Sequence, residues 1–381
     1  MNHFLTEEQE MIRDLTRKIA VEKVKPVRAE LDEKSLFPHE IMQELAKADL
    51  MRILIPEDAG GLGGGIMEMC IVTEELSRVC AGVATTYSAN ALAATPIILF
   101  GTLEQKKKFL KPVADGEIYA AFALTEQSAG SDAGGIKTTA VEDGDYFVLN
   151  GTKQFISNGE EAEIYSVIAS TDPSRGARGL SALIVEKDTP GFTFGKEENK
   201  MGIRASKTTE LIFTDCRVPK ENLLGKKGQG FIVTMRTFDK TRPGVGSQAV
   251  GIAQGAFDES VAYAKERIQF GKPITAFQGI QFMIADMATQ IEAARCLVYA
   301  SARAIDAGDK KSSGHSAMAK LFASDTAMRV TTDAVQLMGG YGYMRDYPVE
   351  KFMRDAKITQ IYEGTNQIQK GVIAANVIKN I

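Results

Sequence analysis

The apolar residues change their spacing twice along the chain. From the N-terminus to about residue 115 they recur at helical spacing, as in Met11, Ile12, Leu15 and Ile19, and from about residue 231 they do so again. Between these parts, short runs of β-branched and aromatic residues alternate with turn-forming residues. The pattern predicts a helical segment, then a β-rich segment, then a second helical segment.

The first segment is predicted to hold several helices. Thr6 before an acidic turn is typical of a helix N-cap, and Pro38 is typical of a first helical turn. Further helices are expected at about 68–79 and 87–100. The glycine-rich stretch 58–65 matches neither phosphate-binding glycine motif, so we interpret it as a turn between helices.

The middle segment is predicted to form an antiparallel barrel or sandwich, because its strands are short and closely spaced. Turns are expected at Asp143-Gly144-Asp145, Asn150-Gly151, Asn158-Gly159 and Pro190-Gly191. The predicted strands are 121–125, 138–141, 146–149, 153–157, 165–169, 181–185 and 211–213.

The last segment is predicted to be a tight helical bundle. Ala- and Met-rich helices are expected at about 231–269, 276–307 and 316–338, with a final helix after residue 364. The predicted fold class is therefore α+β: an N-terminal α-helical domain (1–119), a middle antiparallel β-barrel domain (120–230) and a C-terminal four-helix bundle (231–381).

Composition narrows the classes of function. The chain has 381 residues, 44% of them hydrophobic, and a net charge of −4, which argues against nucleic acid as a partner. No apolar run reaches the roughly 20 residues that span a bilayer, and no leader peptide is expected. Four separated cysteines indicate buried thiols in a reducing cytoplasm. The three histidines lack metal-ligand spacing, so no metal site is expected.

The stretch around Glu363 is the strongest candidate for chemistry. Its carboxylate stands between Tyr362 and Gly364, with Thr365 and Gln367 following. A carboxylate that is partly desolvated beside an aromatic ring has a raised pKa and can act as a base. A turn that ends a helix, with a solvated Glu, explains the same residues.

Other candidate segments also allow two interpretations. Phe155 and Ser157 suit stacking against a flat heterocycle, or a core ring beside a hairpin turn. Arg267, followed by Phe270 and Gln278, suits a pyrophosphate, or an ordinary helix C-terminus. Residues 239–242 suit a surface ion pair.

In combination, these segments resemble the acyl-CoA dehydrogenase family, and the medium-chain and butyryl-CoA types in particular. The resemblance covers essentially the whole chain and keeps the order of the motifs. The motifs are Leu124-Thr125-Glu126 with Ala129-Gly130-Ser131-Asp132, Phe155–Gly159, Phe238–Pro243, Glu266–Lys272, Gln336 with Gly339-Gly340, Met353–Lys357 and Ile361–Thr365.

The resemblance implies FAD as the cofactor and an acyl-CoA thioester as the substrate. It implies that Glu363 is the base, and that Ser131, Asp239, Arg242, Tyr362 and Gly364 contact the substrate. Arg267, Phe270, Gln278, Gln336 and Gly340 would hold the ADP part of FAD across a subunit boundary. The full set of implied cofactor positions is Phe122, Leu124, Thr125, Ser131, Phe155, Ser157, Arg267, Phe270, Gln278, Gln336, Gly340, Thr365 and Gln367.

The implied reaction is α,β-dehydrogenation to a trans-2-enoyl-CoA, with electrons passed to electron-transferring flavoprotein. The implied assembly is a homotetramer, a dimer of dimers, in the cytoplasm, with no nucleic acid or membrane partner.

Some relatives carry the base near position 241, which is Thr241 here, so the assignment goes to Glu363. An enoyl-CoA reductase working in reverse, a dehydrogenase for branched or cyclic acyl-CoA and an inactive scaffold remain as alternatives. The chain departs from the family at Gln127 and Ser128, where relatives usually have Pro and a small residue, and at Phe155, where many members have Trp. Both departures are compatible with flavin binding.

Overall fold

The computed structural model describes residues 4–309 and 311–380, so the ends of the predicted terminal domains at residues 1–3 and 381 lie outside it. The N-terminal part is helical, as predicted. Thr6 caps the first helix by accepting a hydrogen bond from the N–H of Gln9 at 3.2 Å. The helices are α1 (Glu7–Ile19), continued by a π-helix (Ala20–Val24), then α2 (Arg28–Lys34), α3 (His39–Lys47), α4 (Ile66–Ser77), α5 (Ala81–Phe100) and α6 (Leu103–Ala114).

The expectation that no segment has the length and hydropathy of a membrane span was wrong for helix α5. It has 20 residues with a mean hydropathy of 1.3 and meets the length and composition of a span. However, 72% of that window is buried inside the protein, and α5 packs against α4, against the first strand and against the long helix α7 (Gly230–Glu266). A helix that is apolar on all sides and enclosed by other elements is a core helix.

The middle part is one eight-stranded sheet, in the order β6-β7-β3-β2-β4-β5-β8 with β1 beside β4. Its hydrophobic interior separates into one layer facing α5 and α6 and another between β3, β4 and β7. The strands are β1 (Ala120–Ala123), β2 (Thr139–Asp143), β3 (Tyr146–Ser157), β4 (Ile164–Ser170), β5 (Leu180–Glu186), β6 (Phe192–Glu197), β7 (Thr208–Pro219) and β8 (Leu223–Leu224).

The predicted antiparallel barrel is not confirmed. Among the described strands β6 and β8 do not pair, so the sheet stays open, and β4 pairs in parallel with both β1 and β2. The predicted turn at Asn150-Gly151 was wrong, because β3 runs through it with a shift of register against β7. Gly151 has φ +147°, and a Cβ there would lie 2.6 Å from Thr138, so this glycine forms a bulge. Strand β6 was not predicted.

The C-terminal part is helical and is built along α7. Helices α7, α8 (Gln278–Asp306) and α9 (Ser312–Met338) pack pairwise, and α11 (Asn366–Asn380) lies against α9. The prediction of a four-helix bundle stays a prediction. The C-terminal part also contains a small hairpin of β9 (Ile268–Gln269) and β10 (Lys272–Pro273), the helix α10 (Val349–Ala356) and three 3-10 helices (Ile274–Ala276, Gly339–Tyr343 and Lys357–Gln360).

Glycines let α7 cross α4 closely. A Cβ at Gly251 would lie 2.2 Å from the carbonyl oxygen of Glu74, and one at Gly255 would lie 2.2 Å from that of Arg78. Backbones at this separation leave no room for a side chain, which fixes the position of α7 and of the residues it carries toward the site.

The cysteines follow the prediction with one exception. Cys70, Cys80 and Cys216 are buried free thiols, whereas Cys296 on α8 is exposed. The expectation that all four are buried was therefore wrong for Cys296.

Candidate functional site

Residues 361–365, which we name the Glu363 turn, connect a 3-10 helix (Lys357–Gln360) to α11. Glu363 and Gly364 both adopt the left-handed conformation, with φ of +49° and +88°. Glu is disfavoured there, so the surrounding structure holds it. The side-chain amide of Gln369 supplies part of that hold by donating to the carbonyls of Glu363 at 3.0 Å and of Gly364 at 2.9 Å.

The Glu363 carboxylate is bonded to the helix that opposes it. The hydroxyl of Thr241 on α7 donates to Glu363 Oε2 at 2.7 Å. Burial raises the pKa of Glu363, and the Thr241 hydrogen bond and the charges of Arg242 and Lys320 oppose that rise. The net raised pKa, together with one strong hydrogen bond, is suitable for a general base.

A cavity of about 130 Å³ lies beside this carboxylate and brings together much of the predicted site. It lies where α4, α5, α7, the β-sheet and the Glu363 turn meet. Of the predicted site residues, it is lined by Phe122, Leu124, Thr125, Phe155, Ser157, Tyr362 and Glu363. Ser88, Ala89 and Leu92 of α5 also line it.

Strand β3 turns an aromatic ring into this cavity through a second irregularity. Its pairing with β7 shifts between Lys153 and Ile156, and Phe155 within the shift has φ +60° and a 57% exposed side chain. A large ring left exposed at a cavity wall, with the hydroxyls of Thr125 and Ser157 beside it, fits a flat heterocycle with polar edges.

A buried ion pair holds this irregular strand to the loop after β1. The Lys153 ammonium, fully buried, donates to Glu126 Oε1 at 2.8 Å and to the carbonyl of Leu124 at 2.9 Å. The Glu126 carboxylate also accepts from the backbone N–H groups of Lys137 and Thr138. The pair therefore fixes the segment that carries Leu124 and Thr125, and sequence reasoning had not assigned it.

The predicted pair Asp239 and Arg242 is not a surface pair. Arg242 is 3% exposed, its Nη1 donates to Asp239 Oδ1 at 2.9 Å, and its Nε has no hydrogen-bond partner among the described residues. Pro243 lacks the N–H that would bond the Asp239 carbonyl within the helix. Ser316 on α9 replaces that donor at 2.8 Å. A buried guanidinium with an unused donor is suited to an anionic or carbonyl ligand.

A hydrogen-bonded group that the sequence did not reveal also lines the cavity. The Gln248 side chain donates to Thr85 Oγ1 at 2.7 Å and accepts a hydrogen bond from the hydroxyl of Tyr362. These three residues come from α7, α5 and the Glu363 turn, far apart in sequence. Tyr362 belongs to a predicted motif, whereas no local motif marks Thr85 or Gln248.

A second cavity, of about 580 Å³, contains part of the predicted ADP site. Arg267 and Gly340 line it, and the Arg267 guanidinium lies 5.4 Å from the ring centre of Tyr341. Phe270 is 93% exposed and is not part of its lining. Gln278 and Gln336 are also exposed and outside it. The structure therefore brings two of these five residues together in the single chain.

The remaining predicted residues lie outside both cavities. Ser131 is exposed in the loop after β1, Gln367 is exposed at the start of α11, and Thr365 is half-buried. Gly364 does not line the cavity, and a Cβ there would lie 2.7 Å from the Gln369 amide.

Comparison with known proteins adds an independent line of support. The chain matches the models of the acyl-CoA dehydrogenase N-terminal domain over residues 6–117, middle domain over 121–216 and C-terminal domain over 228–378.

Individual relatives match over nearly the full length. An acryloyl-CoA reductase (NADH) of Anaerotignum propionicum is 52% identical, covering 100% of this chain and 96% of the relative. The solved butyryl-CoA dehydrogenase of Megasphaera elsdenii has a TM-score of 0.97 at 47% identity, covering 99% and 100% of the two chains. A chain in the structure described as the electron transferring flavoprotein of Acidaminococcus fermentans has a TM-score of 0.97 at 52% identity, covering 100% of both. With this sequence, fold and site, the chain belongs to the acyl-CoA dehydrogenase family.

Proposed function

We propose that the protein is an FAD-dependent acyl-CoA dehydrogenase that converts an acyl-CoA thioester to the trans-2-enoyl-CoA. The observation that carries the proposal is the carboxylate of Glu363, held by Thr241 in the wall of a cavity that Phe155 lines with an exposed ring. Bound FAD supplies the acceptor, flavin N5, for the hydride that leaves the β carbon.

Glu363 removes the α proton. A C–H next to a thioester is a weak acid, so the base needs a raised pKa and must nevertheless be ionised when substrate binds. Burial raises the pKa of Glu363. The Thr241 hydrogen bond and the charges of Arg242 and Lys320 oppose that rise and so favour the ionised carboxylate. The backbone N–H of Glu363 donates to the thioester carbonyl and stabilises the enolate that develops there.

The walls of the cavity bind the flavin and the thioester. Phe122, Leu124, Thr125, Phe155 and Ser157 contact the flavin ring, and all five line this cavity. The ADP part is held by Arg267 and Gly340, with Phe270, Gln278 and Gln336 acting across a subunit boundary, and Thr365 and Gln367 lie near FAD. The residues that contact the acyl-CoA are Ser131, Asp239, Arg242, Tyr362 and Gly364.

The assembly is a homotetramer, a dimer of dimers, in the cytoplasm. Large apolar side chains left exposed in the C-terminal part support association of copies: Phe270 is 93% exposed, Tyr343 79% and Phe282 60%. The three domains comprise residues 1–119, 120–230 and 231–381. In the last of them, a four-helix bundle is formed by α7, α8, α9 and α11. The electron partner is electron-transferring flavoprotein, a type of protein named in the description of one matching structure.

A panel of acyl-CoA thioesters tests this function. We expect at least one of them to bleach the flavin absorbance of the FAD-loaded protein anaerobically and to yield the enoyl-CoA. A purified protein that binds no FAD, or a flavin that no thioester bleaches, contradicts the proposal.

The same chemistry run in reverse is a second candidate, because a 52% identical relative is an acryloyl-CoA reductase. Reduction of an enoyl-CoA by reduced electron-transferring flavoprotein, at a higher rate than the oxidation, would favour it. A branched or cyclic acyl chain is a variant supported by the small residues Ser88 and Ala89 in the cavity wall, and the panel should include both kinds.

A further inference from the structure

A buried lysine lies beneath the Glu363 turn. Lys320, in the first half of α9, is fully buried, and its ammonium donates to the carbonyl of Gly364 at 2.8 Å and to Asn366 Oδ1 at 3.0 Å. No carboxylate of the described residues lies within ion-pair distance of it. A buried ammonium without a direct counter-charge is costly, and this cost indicates a role beyond packing.

The charges that face Lys320 come from three elements. Glu363 of the turn and Asp325 of α9 attract its ammonium, and Arg242 of α7 repels it. Burial lowers the pKa of Lys320 to about 8, with Glu363 opposing that change. The lysine is therefore charged at neutral pH and loses its proton under mildly alkaline conditions.

The contacts of Lys320 belong to a network that holds the turn in its left-handed form. Gln369 donates to the carbonyls of Glu363 and Gly364, so two donors converge on Gly364. Asn366 in turn donates to Ser324 Oγ at 2.9 Å and Asp325 Oδ1 at 2.8 Å, which ties the start of α11 to α9. Deprotonation would leave a neutral amine that still donates to Gly364 and Asn366, but by weaker hydrogen bonds than those of the ammonium. Removal of the side chain would release one of the two donors to Gly364.

We propose that Lys320 is the positioning residue for Glu363, holding the turn by its hydrogen bonds and keeping the carboxylate ionised by its positive charge. The inference rests on the proposed function, in which Glu363 is the base. It follows that the rate should fall at acidic pH, where Glu363 gains a proton. It should fall again at alkaline pH, where the neutral Lys320 amine holds the turn by weaker hydrogen bonds.

The test is the pH profile of kcat and kcat/KM for FAD-loaded Lys320→Met, Lys320→Gln and Lys320→Arg. For Lys320→Met we expect a loss of roughly 10- to 100-fold in kcat from misplacement of the base. Its acidic limb should move to higher pH, and the alkaline fall near pH 8 should disappear. Lys320→Gln keeps a hydrogen-bond donor but not the positive charge. Its kcat should therefore be higher than that of Lys320→Met, while its acidic limb should move to higher pH by the same amount as in Lys320→Met.

Two comparisons separate charge from packing. Lys320→Arg stays protonated, so its acidic limb should match that of the wild type and its alkaline fall should vanish. Lys351→Met removes another buried ammonium, bonded to Asp355 in α10, and should lower the Tm without moving either limb. Infrared titration of the Glu363 carboxylate, assigned by difference from Glu363→Gln, should show the same upward movement of its pKa in Lys320→Met and Lys320→Gln without turnover.

The inference would be overturned if the acidic limbs of Lys320→Gln and Lys320→Met lay at the same pH as in the wild type and the infrared titration of Glu363 were unchanged. This outcome counts only if Glu363→Gln is inactive. Full turnover by Glu363→Gln would instead contradict the proposed function itself, whatever the Lys320 variants do.

Discussion

The hydroxyl of Thr241, in the first half of α7, donates to the carboxylate of Glu363 across 2.7 Å. The two residues are 122 positions apart in the sequence, and their contact joins α7, the longest helix described, to the Glu363 turn, which precedes α11. Thr241 stands at the position where the family resemblance implies a base in some relatives. Here it supplies a hydrogen-bond donor, so the single carboxylate of this pair is that of Glu363.

Replacing Thr241 should alter the acidic side of the pH profile. Because Thr241 lowers the pKa of Glu363, the variant Thr241→Val should raise that pKa further and move the acidic limb of kcat/KM to higher pH. A hydrogen bond to a charged group contributes about 1.5–3 kcal/mol, so the loss at acidic pH should be about tenfold or more. Thr241→Ser, which keeps the hydroxyl, is the control, and equal profiles for Val and Ser would count against this role.

The Lys153 and Glu126 pair should be needed for stability and flavin retention. Lys153→Met leaves the Glu126 carboxylate buried without its counter-charge, which should destabilise the protein by about 3–5 kcal/mol. The Tm and the fraction of FAD retained on gel filtration measure the effect. The double variant Lys153→Met with Glu126→Gln also removes the buried, unpaired carboxylate charge, so its Tm should be higher than that of Lys153→Met alone. A Tm no higher than that of the single variant would contradict this explanation.

Glycine 251 should be intolerant of any side chain. A methyl group at Gly251 meets the carbonyl of Glu74, so Gly251→Ala must push α4 and α7 apart, at a cost of about 1–3 kcal/mol. Gly371, inside α11, has no atom within 4 Å of a built Cβ. Gly371→Ala should therefore leave the Tm unchanged or raise it. A higher Tm for Gly251→Ala than for Gly371→Ala would show the helix contact to be looser than described.

Gln248 should restrict the length of the acyl chain. It lines the cavity and is held by Thr85 and Tyr362, so Gln248→Ala should enlarge the cavity and raise kcat/KM for longer acyl-CoA relative to shorter ones. Gln248→Met keeps a side chain of similar length without adding a charge beside Glu363, and it serves as the matched control. An unchanged preference in Gln248→Ala would place the end of the acyl chain elsewhere.

Much of the fold could be predicted because its signals are local. The spacing of apolar residues predicted α7, α8 and α9 within a few residues of their observed ends. Sheet features depend on partners distant in sequence, which explains the errors. Asn150-Gly151 looks like a hairpin turn but forms a bulge, since the register with β7 decides between them. The pairing of β1 with β4, in parallel, is equally invisible along the chain.

The site divides in the same way. Residues within motifs, such as Phe155 and Glu363, were predicted, and the structure places them around one cavity. Thr85, Gln248 and Lys320 were missed because each belongs to an unremarkable helical pattern and acquires its place only when α5, α7 and α9 pack. Phe270 and Gln278 were predicted to act across a subunit boundary, and in the single chain they lie outside both cavities.

The most direct test of the central claim is the flavin absorbance of FAD-loaded Glu363→Gln on anaerobic addition of the best acyl-CoA substrate. Gln keeps the size of the side chain and removes the base. We expect the variant to bind FAD and the thioester while bleaching of the flavin slows by about 10²-fold or more, within the range that general base catalysis supplies. Bleaching at the wild-type rate would contradict the assignment of Glu363 as the base.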